Sequence, residues 1–195
     1  MDTGLTGGMP QMVFEYILKQ NGINPLTDLT IDQSIDFGST AAAFSGGLGD
    51  FSVEFEPSAT ALEKEGAGYV VASLGVDSGY VPYTSYSAKT SYINENPEII
   101  QKFTNALQKG LDYVQTHSPE EIAAVIAPQF PENDLETITT IVSRYHQQDT
   151  WKSNLIFEKE SFELLLDILE TAEELEQRLN YEDLVITKFA EAAQK

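Results

Sequence analysis

Glycines directly before predicted helices are the residues of this chain best suited to binding a small polar molecule. Gly7, Gly8 and Met9 precede Pro10, a residue typical of the first turn of a helix. The first amides of a helix have no partner within it and carry the positive end of the helix dipole, so they can bind an anion or a polar oxygen. The same residues would also serve as a tight turn into a helix, and spacing alone leaves both interpretations open.

A second glycine-led helix start lies at residues 37–40. Gly38 follows an extended segment, and the hydroxyls of Ser39 and Thr40 open the next helix. Ligands of open α/β sheets bind just beyond the C-terminal ends of strands, which would place this turn at a cleft. In the alternative interpretation, Ser39 is an ordinary N-cap.

An acidic residue and an aromatic residue complete the candidate ligand contacts. Glu56 follows the alternating segment 50–55, which is typical of a half-buried strand. At a strand end that faces a cleft, its carboxylate would accept a charge-assisted hydrogen bond from an amino group, and otherwise it would be solvated. Tyr80, near Tyr83 and Tyr86, could stack on a ligand, although packing around a hinge explains these rings nearly as well.

Features of an enzyme are scarce. His117 and His146 lie at or near predicted helix ends, which favours capping or surface roles over catalysis. The sequence contains no zinc-protease, nucleophile-elbow or P-loop motif. It has no cysteine, which excludes a disulfide framework, thiol catalysis and cysteine-based zinc sites. We therefore expect neither a metal nor a cofactor.

The composition indicates an ordered, acidic protein. The 195 residues are 42% hydrophobic, which is enough apolar surface for a core. A formal charge of -20 repels phosphate backbones and anionic lipid headgroups, so nucleic acid and membrane surfaces are poor partners. The start MDTGLTGGMP has no charged or apolar signal region, and a signal of an exported protein would lie upstream of it.

The pattern of elements changes near Pro82. Before it, short helices alternate with extended segments at 29–35, 50–55 and 69–74, which predicts an α/β layer with a mixed, partly parallel sheet. After it, one more extended segment is followed almost entirely by helices, each with a cap signal at its start. The predicted helices of this second part are 97–116, 118–126, 134–148, 159–176 and 181–193.

Three long segments, taken in order, resemble one known family. They are GGMPQMVFEYILKQNGINP, GSTAAAFSGGLGDFSVEFEPSATALEKEGAGYVVASLG and VPYTSYSAKTSYINENPEIIQKFTNALQKGLDYV. In this order they resemble the solute-binding proteins of ABC importers, in the group that binds sulfonates, nitrate, taurine and thiamine pyrimidine precursors. The resemblance covers residues 7 to about 190.

The resemblance implies a fold and its division. The expected fold is α/β: a periplasmic-binding-protein-like lobe with a mixed sheet flanked by helices, followed by the mainly helical C-terminal part of the other lobe. Lobe two would span residues 1–78, the return hinge 79–88 and the helical part of lobe one 89–195. Since residue 7 already matches the start of lobe two, we expect a fragment that carries half of the cleft. Its uncovered faces would then be covered by a homodimer or swapped oligomer, or else by tight packing of the C-terminal helices onto lobe two.

The resemblance also implies a function. Such proteins capture a small polar nutrient in a cleft between the lobes and deliver it to an ABC permease, outside the cytoplasm and often anchored as lipoproteins. Glu56 favours a solute with an amino-bearing ring, such as a thiamine pyrimidine precursor, and disfavours a bare sulfonate or nitrate. The residues expected to line the cleft are Gly7, Gly8, Met9, Gly38, Ser39, Thr40, Glu56 and Tyr80.

Three alternatives remain open. The chain could bind a sulfonate, taurine or nitrate, as other members of the group do. It could be an enzyme like those that make the thiamine pyrimidine, although their cysteine-rich stretch and reactive histidine have no match here. It could also be an acidic interaction module that docks through its helices at 97–193.

Overall fold

The computed structural model describes residues 8–194, whose regular structure is helical. No helix in this range combines the length and the apolar character that crossing a bilayer requires. The helices are α1 (Met9–Gln20), α2 (Thr40–Ser45), α3 (Ser58–Lys64), α4 (Leu74–Asp77), α5 (Thr90–Glu95), α6 (Pro97–Thr116), α7 (Pro119–Ile126), α8 (Leu135–Gln147), α9 (Lys159–Thr171), α10 (Tyr181–Leu184) and α11 (Lys188–Ala193), with 3₁₀ turns at Phe37–Ser39 and Ala127–Gln129.

The described residues form two compact units. Unit 1 contains the residues up to Val81 together with Leu164–Arg178. Unit 2 contains Pro82–Glu163 and the residues from Leu179 onward. The predicted division into lobe two, hinge and lobe one at 1–78, 79–88 and 89–195 stays a prediction.

The core of unit 1 forms where α1 meets α9. Met12, Val13 and Ile168 are buried there, and α1 also contacts α4. Apolar residues of α1 recur every three or four positions, so they share one helix face and pack together. The partly buried residues around this core are Met9, Tyr16, Ile17, Leu74, Val81, Leu164, Leu169 and Ala172.

The core of unit 2 lies between α7 and α8. Its buried residues are Ile122 and Ala123 of α7 and Ile138 and Val142 of α8. Side chains of α6 and the ring of Trp151 pack against them. Helix α6 also packs against α11, so it links two helices that are distant in the sequence.

The starts of α7 and α8 confirm the predicted caps. The Ser118 amide donates to Glu121 Oε2 at 2.9 Å, and the Glu121 amide donates to Ser118 Oγ at 3.3 Å, which completes a capping box. The Thr137 amide donates to Asp134 Oδ1 at 2.7 Å. Each bond satisfies an amide that the helix itself leaves without a partner.

Five helices end in the same backbone turn, in which a residue of positive φ follows the last helical turn. In α9 the Glu173 amide donates to Glu170 O at 3.0 Å and the Glu174 amide to Leu169 O at 2.9 Å, the pattern of a Schellman motif. Equivalent pairs of bonds close α1, α2, α3 and α8. The residues at the left-handed position are Gly22, Gly47, Gly66, Asp149 and Glu173.

The predicted mixed sheet is not formed by residues 8–194. No β-strand occurs in this range, and Asp32 and Ser52 are isolated bridge residues. Backbone amides that a ladder would use are bound by side chains instead: the Val70 amide donates to Glu63 Oε1 at 2.9 Å and the Ser34 amide to Asp32 Oδ1 at 2.9 Å. These local bonds compete with strand pairing.

Burial in the predicted strand 50–55 also differs from its alternation. The pattern placed Phe51, Val53 and Phe55 on one inward face. Only Val53 of these three is buried, whereas Phe51 is 56% exposed and Phe55 is 42% exposed. A segment that pairs with no neighbouring strand does not have to place alternate side chains on a common face.

The helices of the second part follow the prediction more closely. Helix α6 spans the predicted residues 97–116. Helix α9 ends at Thr171, earlier than the predicted 176. The predicted helix 181–193 is split into α10 and α11 because Val185 is extended, with φ −109° and ψ 131°. At the end of the segment 69–74, which was predicted to be extended, the chain forms α4, and the hydroxyl of Ser73 caps this helix.

Candidate functional site

The start of α1 holds the first group of predicted contacts. Gly7 lies outside the described residues. Gly8 is the N-cap of α1 in an extended conformation, and its carbonyl accepts from the Met12 amide at 3.1 Å. Met9 packs against the unit 1 core, so its side chain contributes to packing. Their predicted role as ligand contacts stays a prediction.

The second group, residues 38–40, is divided by burial. Gly38 and Ser39 are exposed on the 3₁₀ turn, where the Ser39 amide donates to Asp36 O at 2.7 Å. Thr40 is fully buried, and its Oγ1 donates to Phe37 O at 2.8 Å. Ser39 occupies the N-cap position of α2, but among the described residues its side chain forms no capping bond. Exposed backbone and one exposed hydroxyl therefore remain accessible at this turn.

Glu56 lies at the start of α3 and acts there as a helix cap. Its Oε2 accepts from the Thr60 amide at 3.0 Å, and the side chain is half-buried. A carboxylate at a helix N-terminus is stabilised by the helix dipole. The neighbouring Glu54 instead accepts from Ser52 Oγ at 2.7 Å. The two acidic residues of this segment therefore have different local partners.

The structure brings the starts of α2 and α3 together. The two helices pack against each other. The rings of Phe37 and Phe55 meet edge to face, with centroids 4.8 Å apart. Because Phe37 directly precedes Gly38 and Phe55 directly precedes Glu56, this contact brings the two chain segments that carry the predicted groups near each other. In the sequence, an aromatic residue precedes each of these helix starts. This pattern does not indicate that the two rings contact each other.

Tyr80 belongs to another part of unit 1. It is 66% exposed and stands beside Val81, which packs against the core formed by α1 and α9. Gly79 before it has a φ of 83°, a conformation that favours glycine. Tyr80 and Met9 thus lie along the α1 and α9 core, whereas residues 38–40 and Glu56 lie on the α2 and α3 pair.

Residues 20–63, which contain α2 and all of α3 except its last residue, Lys64, carry only negative charge. Residues 20–63 contain seven acidic residues and neither lysine nor arginine. Hydrogen bonds from the Ser34 side chain and amide lower the pKa of Asp32, which keeps this carboxyl ionised. A surface of this kind attracts a cationic or hydrogen-bond-donating ligand and repels an anion.

The two histidines lie in unit 2 and bind backbone carbonyls at the end of α6. His117 Nδ1 is 2.8 Å from Tyr113 O, and its ring stacks on Tyr113 with centroids 3.6 Å apart. His146 Nε2 is 3.0 Å from Val114 O. Because a carbonyl only accepts, both ring nitrogens donate. These contacts confirm the capping interpretation of both residues.

Between residues 8 and 194, no group of three or more histidine, cysteine, aspartate or glutamate side chains is arranged to hold a metal ion.

Two comparisons place the chain among known proteins. The sequence profile of a family described as NMT1/THI5 like matches residues 3–122. A protein of Bacillus subtilis (strain 168) named "Putative binding protein YtlA" is 40% identical over 185 residues, which is 95% of this chain and 55% of that protein. The chain therefore spans about half the length of the relative that it matches.

Proposed function

This chain belongs to the NMT1/THI5-like family, and from that premise we propose that it acts as the solute-binding component of an ABC importer and not as an enzyme. The name of the Bacillus subtilis relative, a binding protein, supports this role. In the proposal the chain captures a small polar nutrient outside the cytoplasm, anchored as a lipoprotein, and delivers it to a permease. The observation that carries it is the contact between Phe37 and Phe55, which brings the exposed turn at Gly38 and Ser39 near the chain at Glu56, within residues 20–63 that contain no lysine or arginine.

The proposed contacts with the solute lie on the α2 and α3 pair. The exposed backbone and hydroxyl at Gly38 and Ser39 offer polar groups, and the partly exposed ring of Phe55 offers a surface for stacking. The Thr60 amide orients the Glu56 carboxylate. Since a carboxylate accepts several hydrogen bonds at once, capping of α3 is compatible with binding an amino group.

The charge of the segment favours an amino-bearing ring as the solute, such as a thiamine pyrimidine precursor. A sulfonate or nitrate requires positive charge or several converging donors, and residues 20–63 supply no lysine or arginine. An aminopyrimidine instead donates hydrogen bonds from its amino group and stacks through its ring. Glu56 and Phe55 match these two properties.

Isothermal titration of the full chain tests the proposal with an aminopyrimidine and with taurine as probes. We expect binding of the aminopyrimidine, and we expect the Glu56→Gln variant to bind it about 10-fold more weakly or worse, because a charge-assisted hydrogen bond is replaced by a neutral one. Glu54→Gln is the matched control, since it removes the same charge two residues away. Its affinity should stay within a factor of about two of the wild type.

The other outcomes separate the alternatives. Tight binding of taurine or an alkanesulfonate without binding of the aminopyrimidine would refute the solute class and favour the sulfonate alternative. Binding of the permease that is independent of any solute would favour an acidic interaction module. Turnover of the aminopyrimidine would favour an enzyme.

Hinge closure around the solute and self-association are further parts of the proposal. The chain crosses between the two units at residues 81 and 82, within the proposed hinge 79–88, next to the left-handed Gly79. Self-association is supported by exposed apolar side chains in a segment without strand partners, where Tyr69 is 84% exposed and Val71 is 75% exposed. A monodisperse monomer in light scattering would contradict self-association.

A further inference from the structure

Residues of α9 lie near the places where the chain crosses between unit 1 and unit 2. The division between the units crosses the described chain after Val81, after Glu163 and after Arg178. Val81 and Leu164 both pack against the unit 1 core. A Cβ atom on Gly79 would lie 3.5 Å from Leu164 Cδ2. The unit 1 residues at the first two crossings, Val81 and Leu164, therefore belong to the same apolar cluster.

The third crossing is held by an arginine that binds back onto α9. Arg178 Nε donates to Glu170 Oε1 at 2.9 Å, and Nη2 donates to Glu170 Oε2 at 2.7 Å. Nη2 also donates to Asp167 Oδ1. One guanidinium thus binds two carboxylates that lie one helical turn apart. Its contact with Glu170 is bidentate, a two-pronged geometry that makes an arginine–carboxylate ion pair directional.

The backbone between α9 and Arg178 is fixed at its start as well. Glu173 has a φ of 60°, a conformation that costs a residue with a side chain, and two backbone bonds hold the turn. Residues 172–178 are therefore constrained at both ends: by the Schellman turn at Glu173 and by the ion pairs of Arg178. A chain held at both ends has fewer conformations than the same segment held at one.

We infer that Arg178 is a positioning residue that clips residues 172–178 onto α9 and so fixes where the chain leaves unit 1. The inference rests on the proposed function, because the cost of hinge closure depends on how tightly these crossings are held. Its alternative is an ordinary exposed ion pair that adds little to any property of the protein. A positioning role predicts that replacing Arg178 loosens residues 172–178. An ordinary exposed ion pair predicts that the replacement has no measurable effect on this segment.

Hydrogen exchange of the full chain makes the first test. In Arg178→Gln the amides of Glu173 and Glu174, which donate to Glu170 O and Leu169 O, should exchange roughly tenfold faster, while the amides of Val13 and Ile168 in the unit 1 core keep their protection. Arg178→Lys keeps the charge but loses the bidentate geometry. Its exchange rates should lie between those of the wild type and those of Arg178→Gln. Raising the salt concentration to about 1 M should bring the exchange rates of the wild type closer to those of Arg178→Gln, because salt screens exposed ion pairs.

The distance between the units makes the second test. The chain has no cysteine, so cysteines placed at Leu26 in unit 1 and Val125 in unit 2, both exposed, accept spin labels without further changes. We expect Arg178→Gln to broaden the measured distance distribution. Lys152→Gln is the matched control: it removes another exposed ion pair, with Glu158 at 3.3 Å, away from this segment.

Unchanged exchange and an unchanged distance distribution in Arg178→Gln would overturn the inference. So would a loss of protection that spreads to the unit 1 core, because Arg178 would then be a general stabiliser of the unit. Neither readout uses a solute, so a failed aminopyrimidine titration would refute the proposed ligand and leave this test standing.

Discussion

Replacing Glu173 by glycine should stabilise the protein, although the substitution removes a charged side chain. Glu173 occupies the left-handed position that ends α9, with a φ of 60°. Three other helices place glycine at the equivalent position, at Gly22, Gly47 and Gly66. A residue with a Cβ atom is strained there, and glycine is not.

The magnitude follows from two opposing contributions. Relief of the left-handed strain is worth about 1 to 2 kcal/mol. Glycine gives the unfolded chain more conformations, which costs about 0.4 to 1 kcal/mol. Because Glu173 is exposed, little packing is lost. The net expectation for Glu173→Gly is a gain of about 0.5 to 1 kcal/mol in the free energy of unfolding, which for a chain of this length is a rise in Tm of about 2 °C.

The converse substitution provides the control. Gly66 has a φ of 71°, and nothing lies within 4 Å of the position that its Cβ atom would take. Gly66→Ala therefore introduces strain without a steric clash, and we expect a loss of about 0.5 to 1 kcal/mol. Both variants are measured by urea unfolding followed by far-UV circular dichroism. A destabilised Glu173→Gly variant, or a Gly66→Ala variant as stable as the wild type, would show that the backbone conformation is not what governs these positions.

Three further predictions concern the core, a cap and the response to acid. Ile168→Ala leaves a cavity in the fully buried core of unit 1 and should lower the free energy of unfolding by about 2 to 5 kcal/mol in urea titrations. Asp134→Ala removes the acceptor of the Thr137 amide and should cost about 1 kcal/mol, whereas Asp134→Asn should retain most of the stability. The Arg178 hydrogen bonds lower the pKa of Glu170, so their stabilisation is present above the ordinary pKa of a glutamate and is lost as the pH falls through the lowered value. Wild-type Tm should thus fall more steeply than that of Arg178→Gln between about pH 5 and pH 3; parallel curves would contradict this.

The sequence predicted helix starts well because capping involves residues three or four positions apart. Ser118 with Glu121 shows this directly, since both partners stand within one turn of the chain. Glycine, a residue typical of the left-handed position after a helix, marks the ends of α1 and α3 in the sequence, at Gly22 and Gly66. The end of α9 was placed too late because Glu173 is a poor signal for a left-handed residue.

Extended segments were harder to predict because a strand depends on a partner that alternation does not specify. The β-branched run at 69–74 is typical of a buried strand, yet the Val70 amide binds the Glu63 side chain and Tyr69 is exposed. The candidate site shows the same limit. Its residues Ser39 and Glu56 were identified from local patterns, but the contact between Phe37 and Phe55 that unites them spans 18 positions of sequence.

The two histidines bind the same helix end, but the sequence predicts only one of the two bonds from neighbouring residues. His117 binds Tyr113 O four residues back, so a histidine just after a helix already predicts the bond. His146 binds Val114 O from 32 residues away, and this bond exists only because α8 packs beside the end of α6. A sequence pattern can therefore assign both histidines to capping, but only the packing of α8 against the end of α6 explains why the second one reaches Val114. The α2 and α3 pair follows the same logic: each helix start is encoded locally, whereas the proposed solute site depends on the packing that brings the two starts together.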